Sequence, residues 1–233
     1  MMRPLLASVA ALLMLGACSR APNSEMFPLD RGHHWNYEIT TEFENNTQDH
    51  DSLQMSTLGS ESIEGGRAFR RHSSDGVDYW LRADETGIYR VASKSEIEAE
   101  PQPDKTPRYV LKQPLAVGTS WQASTTAYLL RRKSEFPPEI RYTHPAVPMN
   151  YSIDALAQAV STRAGNFSGC VRIKGVATLK LFADPVVGWK DMPITTLEWY
   201  CPGVGLARLE RTEPANSTFL TGGTLKMDLV SWD

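Results

Sequence analysis

The sequence predicts a mostly β protein whose antiparallel strands form a curled sheet, either an open barrel or two packed sheets. Segments rich in aromatic and β-branched residues recur along the chain. Turn residues, chiefly glycine and proline, separate these segments. The phrase Pro-Leu-x-x-Gly-x-x-Trp occurs at 28–35 and again at 114–121, an offset of 86 residues. We therefore expect two similar meanders with about ten to twelve strands in all.

Each copy of the phrase is typical of a turn that leads into a strand. Proline restricts φ, glycine permits the tight turn, and leucine and tryptophan provide apolar surface on either side of it. The strands expected behind the two copies are 35–43 and 121–130. Further along, residues 63–73 correspond to residues 164–175, because each segment places glycines before a short strand.

Two more correspondences keep a nearly constant offset between the halves. Trp80 and Trp199 are 119 residues apart, and Gly87 and Gly205 are 118 residues apart. The matching order of these features favours a divergent duplication of one antiparallel meander. The alternative is two hairpin-rich halves that share common turn chemistry.

Proline-rich segments set the expected boundaries. The first repeat is assigned to residues 27–97 and the second to residues 113–233, with an exposed, charged linker at 98–112. An insertion at 131–150 contains four prolines, a density that excludes helix and central strand alike.

Two later segments complete the expected sheet. Residues 151–163 suit either a short helix or a strand, and we favour the strand. Leu225, Met227 and Leu229 alternate with polar neighbours in residues 224–232, which predicts a closing strand.

The amino terminus is typical of an export signal. Arg3 precedes an apolar run at 5–15, which is shorter than the roughly 20 residues that a transmembrane helix needs. The ending Leu15-Gly16-Ala17-Cys18 resembles the lipobox of bacterial lipoproteins. This resemblance implies that residues 1–17 are removed as a signal peptide and that Cys18 becomes the lipidated first residue.

The same resemblance implies a place in the cell. Residues 18–26 would form a tether between the lipid and the folded domain, and several acyl chains together anchor far better than one. Ser19 follows the cysteine where an aspartate favours retention at the inner membrane, so we expect the outer membrane, facing the periplasm. The alternative is an ordinary secretory signal whose cleavage site contains a cysteine.

Charge and cysteine content agree with an exported protein. Removal of residues 1–17 takes away Arg3 alone among the charged residues and leaves 23 basic and 27 acidic side chains, a formal charge of −4, which argues against nucleic-acid binding. With Cys18 lipidated, Cys170 and Cys201 remain as an even pair in an oxidising compartment, so we expect a disulfide between them. Two buried free thiols are the alternative.

Two stretches of the second repeat resemble a group of β-rich periplasmic lipoproteins of bacteria. Residues 160–175 contain Ala-Gly-x-Phe-x-x-Cys, and residues 198–211 contain Trp-Tyr-x-Pro-Gly-Val-Gly. The opening at 27–37 fits the same group. By looser analogy such curled sheets resemble the LolA and LolB lipoprotein carriers, whose concave face holds acyl chains, but analogy of fold is not evidence of function.

Catalytic and metal-binding motifs are lacking in the sequence. It contains no Gly-x-Ser-x-Gly elbow, P-loop, HExxH or dinucleotide-binding fingerprint. The adjacent His33 and His34 would point to opposite faces of a strand, so they make a poor pair of metal ligands. We expect no metal site, no cofactor and no enzymatic activity.

An aromatic lining on the concave face is the first candidate binding feature. A hydrophobic ligand or an acyl chain could lie against these side chains. The alternative is that they only fill the core. The residues expected there are Trp35, Phe69, Trp80, Trp121 and Trp199.

The second candidate is the basic insertion. Arg131, Arg132, Lys133 and Arg141 are interleaved with aromatic residues and prolines. A stiff basic loop of this kind could contact an acidic protein partner or anionic lipid headgroups, and a solvated loop is the alternative.

Together these features predict a non-enzymatic lipoprotein of the cell envelope that acts as a binding or interaction module. One alternative is a carrier of lipid or another hydrophobic ligand. Another is an envelope immunity or inhibitor protein that acts against a secreted toxin.

Overall fold

The computed structural model describes residues 25–63, 65–133, 146–184 and 186–233. These residues form strands and turns, and no helix among them is long and apolar enough to cross a membrane. The strands are β1 (His34–Phe43), β2 (Gln48–Ile63), β3 (Gly66–Ser73), β4 (Val77–Asp84), β5 (Gly87–Ser95), β6 (Gln102–Lys112), β7 (Ser120–Thr125), β8 (Arg131–Arg132), β9 (Val147–Thr162), β10 (Gly165–Asp184), β11 (Gly188–Cys201), β12 (Gly205–Glu213), β13 (Leu220–Thr221) and β14 (Gly223–Trp232).

Twelve of these strands form one antiparallel sheet that is nearly closed into a barrel. Its order is β6-β5-β4-β3-β2-β1-β14-β12-β11-β10-β9-β7, so β1 pairs with β14, and β6 and β7 are the two edges. These edges face each other across a seam, where Lys112 Nζ donates to Ser120 O at 3.1 Å. The remaining strands, β8 and β13, pair as a short ribbon. The predicted curled antiparallel sheet is confirmed.

The two halves of the sheet have the same succession of strands. The repeated phrase precedes β1 in one half and β7 in the other, and Gly32 and Gly118 within it adopt φ of +99° and +95°. Other equivalent residues fall in equivalent strands: Trp80 in β4 and Trp199 in β11, and Gly87 and Gly205 at the starts of β5 and β12. The residues matched in the sequence therefore occupy corresponding strands, and the duplication itself stays a prediction.

The prediction of a linker at 98–112 is wrong over most of that range, because Gln102–Lys112 is strand β6. Proline is tolerated there because β6 is an edge strand, where a missing backbone N–H does not remove a bond to a second neighbour. Pro103 pairs with Ala92 of β5, and the register shifts before the pair Arg90 and Arg108.

The insertion at 131–150 also contributes strands at both of its ends. Arg131–Arg132 is β8, and β9 begins at Val147. Pro148 therefore lies in a central strand, against expectation. It pairs with Ser124 of β7, but the ladder between β9 and β10 begins only at Met149, so Pro148 has one neighbouring strand instead of two. Residues 134–145 lie outside the described part of the chain. The strands expected at 151–163 and 224–232 are present as β9 and β14.

The segment 25–33, here called the plug, closes one end of the barrel. Phe27 and Leu29 are buried in it against Ile88, Leu111 and Ile153. Gly203 N, in the turn after β11, donates to Glu25 O at 2.5 Å and holds the start of the plug in place.

The opposite end is filled beside the long strands β9, β10 and β11. Met149, Met192 and Ile194 form a fully buried cluster there with Leu220 of the β8–β13 ribbon. A cavity remains between this cluster and the plug.

A disulfide joins Cys170 of β10 to Cys201 of β11. The register pairs Val171 with Tyr200, so the two cysteines stand opposite each other at the next position, and both are fully buried. The pair predicted from the cysteine count is thus bonded in the structure.

Removal of this disulfide is expected to lower the free energy of unfolding by about 3 to 4 kcal/mol, because the bond restricts a loop of 31 residues in the unfolded chain. Urea unfolding of the Cys170→Ser, Cys201→Ser protein measures the loss. An unchanged unfolding midpoint with an unchanged m-value would contradict the expectation.

Candidate functional site

A cavity of about 430 Å³, here called the central cavity, lies inside the curled sheet. This volume falls within the range of small-molecule pockets. The apolar part of its lining consists of Phe27, Leu53, Met55, Leu81, Val110, Trp121, Ala123, Leu206, Leu209 and Met227. The polar part consists of Tyr37, Arg71, Tyr79, Arg90, Arg108, Tyr109, Tyr151, Glu198 and Tyr200.

A second cavity of about 590 Å³ adjoins the first. The two share Leu53, Tyr79, Leu209 and Met227, and Phe27 of the plug lines only the central cavity. The second cavity also touches the turn between β3 and β4, which lies at the end of the barrel opposite the plug. An elongated ligand could therefore extend from the central cavity towards that end.

Arg71 is a buried cation at the plug end of the central cavity. Its guanidinium lies 4.1 Å from the ring centroid of Phe27 and 4.2 Å from that of Trp35, and it donates to Pro28 O at 2.8 Å. Burial lowers the pKa of Arg71 to about 10. Its Nε has no hydrogen-bond partner within the described residues. Aromatic faces and a carbonyl oxygen thus stabilise this charge, and no carboxylate of the described residues is bonded to it.

Arg108 brings a second cation to the cavity from edge strand β6. Burial and the neighbouring charge of Arg90 lower the pKa of Arg108. Arg90 is itself neutralised, because it donates two hydrogen bonds of 2.6 Å to Asp104. Among the described residues the side chain of Arg108 forms neither a hydrogen bond nor an ion pair, and the negative charge of Asp104 only partly opposes the lowering of its pKa.

Glu198 of β11 is the one carboxylate in the lining. Its exposed surface faces the cavity, and it accepts a hydrogen bond of 2.7 Å from Tyr200 Oη. Burial raises the pKa of Glu198, although the bond from Tyr200 and the charges of Arg211 and Arg108 oppose that effect. Glu198 is therefore expected to keep its proton to a higher pH than an exposed glutamate does.

Tyrosine hydroxyls supply neutral polar groups around these charges. Burial raises the pKa of Tyr37, Tyr151 and Tyr200 above the ordinary range, so all three remain protonated. Tyr37 Oη donates to Leu206 O at 2.9 Å. The central cavity therefore combines an apolar lining with two arginines that have no carboxylate partner among the described residues, one glutamate whose pKa is raised, and several neutral hydroxyls.

Only one of the five aromatic residues expected at the binding face lines this cavity. It is Trp121, which is stacked on Tyr151 with 5.8 Å between ring centroids. Trp35 and Phe69 face the interior but belong to its packing: Trp35 Nε1 donates to Val204 O at 2.7 Å, and Phe69 packs beside the plug.

Trp80 and Trp199 lie on the outer face of the sheet, which corrects their predicted place in the lining. Trp80 alternates with Tyr79 and Leu81, which line the cavity, and Trp199 alternates with Glu198 and Tyr200 in the same way. Each outer tryptophan is covered by an arginine from the preceding strand. Arg70 lies 5.6 Å from the ring centroid of Trp80, and Arg172 lies 5.9 Å from that of Trp199.

Comparison with known proteins places no family name on the chain. No family model matches it, and no curated protein matches it. Two solved structures are similar over 89% of this chain and 98% of their own. One is a putative lipoprotein from Parabacteroides distasonis ATCC 8503, 13% identical with a TM-score of 0.43. The other is a putative exported protein with a YmcC-like fold from Bacteroides fragilis NCTC 9343, 12% identical with a TM-score of 0.39. Similarity at these scores carries no information about the site.

The basic residues expected to bind a partner each make a different contact within the protein. Arg131 stacks on Phe43, with 4.2 Å to the ring centroid, and lies 3.7 Å from a carboxylate oxygen of Asp49. Lys133 Nζ donates to Ser217 O at 2.9 Å, and Arg132 donates to Phe182 O. Arg141 and the lipidation site Cys18 lie outside the described residues.

No group of three or more potential metal-ligating side chains occurs in the parts of the chain that the structure describes. The two histidines considered as ligands contact the chain terminus: His33 Nδ1 lies 3.1 Å from Asp233 O, and His34 Nδ1 lies 3.4 Å from Asp233 Oδ1.

The charged residues of the cavity were missed by the sequence reasoning. Their alternation with apolar residues along each strand was the signal that could have placed them inside. Arg71 follows Phe69 by two positions, and Glu198 continues the inward series of Met192, Ile194 and Thr196. A charged residue in the buried phase of a strand marks either a structural ion pair or a ligand contact.

Proposed function

We propose that the protein is a non-enzymatic lipoprotein of the cell envelope that holds an amphipathic ligand with an acidic group in the central cavity. The observation that carries this proposal is the pair of cavity cations, Arg71 and Arg108, neither of which is bonded to a carboxylate of the described segments. The apolar part of the ligand would lie against the lining of aliphatic and aromatic side chains.

The electrostatic cost of these cations favours an anionic ligand. A buried charge destabilises the folded state unless a partner compensates it. An acidic group on the ligand would supply that partner through charge-assisted hydrogen bonds, which are the stronger class in proteins. The remaining lining excludes water from the hydrocarbon part and contributes through burial of apolar area.

The chemistry of the cavity favours a carrier or holder over the other functions considered from sequence. A surface that only contacts another protein does not require an internal apolar chamber with cations facing it. The role as an immunity or inhibitor protein stays a prediction, without a contact in the described residues that favours it.

The test is a fluorescence titration of the purified protein with 1-anilinonaphthalene-8-sulfonate, an apolar probe with a permanent negative charge. We expect saturable binding and its displacement by a long-chain fatty acid. Native mass spectrometry of protein purified without detergent should show a lipid-like adduct that organic solvent removes. Absence of both saturable binding and adduct would reject the proposal.

The ionisation of Glu198 is expected to weaken binding of the same probe. Because the pKa of Glu198 is raised in the folded protein, its carboxyl group loses its proton in a window above the ordinary range for glutamate. Probe affinity should therefore fall as the pH rises through that window, since a negative charge then faces the sulfonate.

The Glu198→Gln protein should bind the probe equally below and above this window. Because the folded state favours the protonated carboxyl group, the thermal melting temperature should also fall as the pH rises through the same window. The Glu198→Gln substitution should remove this contribution. A pH dependence that persists in the variant would assign the effect to another group.

The lipid anchor is tested separately. In the Cys18→Ser protein the thiol that accepts the lipid is absent, so the protein should leave the membrane fraction. Fractionation of cells that express the two forms measures this, and incorporation of labelled palmitate should be lost with the substitution. Persistent labelling of the variant would contradict lipidation at Cys18.

A further inference from the structure

The tip of the β10–β11 hairpin exposes a group of large apolar side chains. The exposed fractions are 43% for Phe182, 92% for Val186, 61% for Val187 and 64% for Trp189. Phe219, 43% exposed, lies at the neighbouring β8–β13 ribbon. Burial of such residues is favourable, so their clustering at one projecting tip indicates a contact with another apolar phase.

The two aromatic residues of the tip belong to paired strands. Phe182 and Trp189 stand opposite each other in the ladder, and their rings meet edge to face with 5.9 Å between centroids. The adjoining ribbon supports this arrangement, because Lys133 N donates to Phe219 O at 2.9 Å. The aromatic side chains are therefore presented on a framework of paired strands.

Basic residues surround the apolar tip. The described segments 131–133, 180–184, 186–191 and 217–221 contain five basic residues, Arg131, Arg132, Lys133, Lys180 and Lys190, and two acidic ones, Asp184 and Asp191.

Two of these cations are bonded to backbone carbonyls and form no ion pair with a described residue. Lys133 Nζ donates to Ser217 O, and Lys190 Nζ donates to Ala215 O at 3.0 Å and Asn216 O at 2.6 Å. The surroundings of the tip are complementary to an anionic surface.

We propose that this hairpin tip inserts shallowly into the interface of an anionic phospholipid bilayer. Tryptophan and phenylalanine favour the boundary between headgroups and acyl chains, and lysine and arginine beside them attract anionic headgroups. The exposed apolar side chains and the excess of basic residues beside them fit the two layers of such a bilayer, the acyl chains and the anionic headgroups. This proposal does not depend on a ligand in the central cavity.

The tip and the start of the described chain lie at opposite ends of β11. Gly188 is at the tip, and Gly203, just beyond the end of β11, holds Glu25 of the plug. Fourteen residues of strand separate these ends by roughly 45 Å. Insertion of the tip and attachment through an amino-terminal lipid are thus separate membrane contacts that mutations can distinguish.

The test is flotation of the full chain, carrying Cys18→Ser so that no lipid is attached there, with vesicles of phosphatidylethanolamine and phosphatidylglycerol. We expect Val187→Asp with Trp189→Asp to lower the vesicle-bound fraction at least tenfold. Val117→Asp is the matched control, because Val117 is 63% exposed in the turn between β6 and β7 at the other end of the barrel. It should bind like the parent.

A second measurement locates the contact. Brominated acyl chains in the vesicles should quench part of the tryptophan emission, and Trp189→Phe should abolish that part while leaving the circular dichroism spectrum unchanged. Binding should weaken in phosphatidylcholine vesicles and at high salt, since the basic residues then lose their attraction.

Three outcomes would overturn the proposal. The first is equal flotation of the parent and the double variant, including absence of flotation in both. The second is an equal loss in Val117→Asp. The third is a parent dimer, seen by sedimentation, that the double variant converts to a monomer without any vesicle binding, which would make a second copy of the chain the occupant of the tip.

Discussion

Replacement of Glu213 by alanine is expected to lower the free energy of unfolding by about 3 to 5 kcal/mol, the range for breaking a buried ion pair. Glu213, at the end of β12, has no exposed surface. Its Oε1 accepts from Arg211 Nε at 2.6 Å. Its Oε2 accepts from Tyr128 N at 3.1 Å, Leu129 N at 2.9 Å and Leu130 N at 3.3 Å.

The size of this effect follows from what the substitution leaves behind. Alanine would leave the charge of Arg211, whose side chain is 4% exposed, without its carboxylate, and would remove the acceptor of three backbone N–H groups. Arg211 also donates to Thr125 Oγ1 at 3.0 Å and Thr126 O at 2.8 Å. The two side chains together fasten the segment between β7 and β8 to β12.

Chemical denaturation of Glu213→Ala beside two control variants measures the loss. Glu213→Gln keeps one acceptor oxygen and should fall between the parent and the alanine variant. Glu210→Ala removes a half-buried carboxylate from the same strand and should change stability by about 0.5 kcal/mol or less. Similar losses in Glu213→Ala and Glu210→Ala would show that the buried pair has no special role.

The sheet could be predicted from sequence because its signals are local. Alternating apolar residues, glycine turns and the repeated proline phrase each act within a few positions, and antiparallel neighbours joined by short turns follow from them. The edge strand β6 was mistaken for a linker for the same reason. Its prolines are local signals against a central strand, and only the whole strand order reveals that β6 lies at an edge.

The cavity lining could not be predicted because it depends on which face each aromatic residue occupies. The ladder between β4 and β5 shifts register at Trp80 and Leu81, and the ladder between β11 and β12 shifts at Trp199 and Tyr200. Consecutive large residues at such bulges give no indication of which one points inward. Burial alone also fails, since Trp80 is 3% exposed on the outer face, where Nε1 donates to Glu61 Oε1.

The inward arginines did not enter the sequence prediction, although the phase of their strands places them inside. Arg211 has a carboxylate partner two positions along the same strand, whereas Arg71 has none among the described residues. This contrast separates a structural pair from a candidate ligand contact. It requires the three-dimensional partner of each charge, which sequence spacing does not supply.

Arg108→Gln is expected to weaken binding of an anionic amphiphile about tenfold to a hundredfold. A charge-assisted hydrogen bond contributes about 1.5 to 3 kcal/mol, and every 1.4 kcal/mol corresponds to a factor of ten in affinity. Arg108 is the better test residue than Arg71, because Arg71 also donates to Pro28 O and contacts two aromatic rings that hold the plug. Titration with the anilinonaphthalene sulfonate probe measures the change.

Two comparisons make the result specific to charge. Binding of an uncharged amphiphile of similar size should be unaffected by Arg108→Gln, because the apolar lining is retained. Arg163→Gln removes an exposed arginine that is bonded to Glu38 on the surface and should leave the affinity for the probe unchanged.

Thermal stability of Arg108→Gln should equal or exceed that of the parent, since the folded protein no longer buries a cation that Arg90 repels. Equal losses for the charged and uncharged ligands would instead assign Arg108 to the packing of the cavity wall.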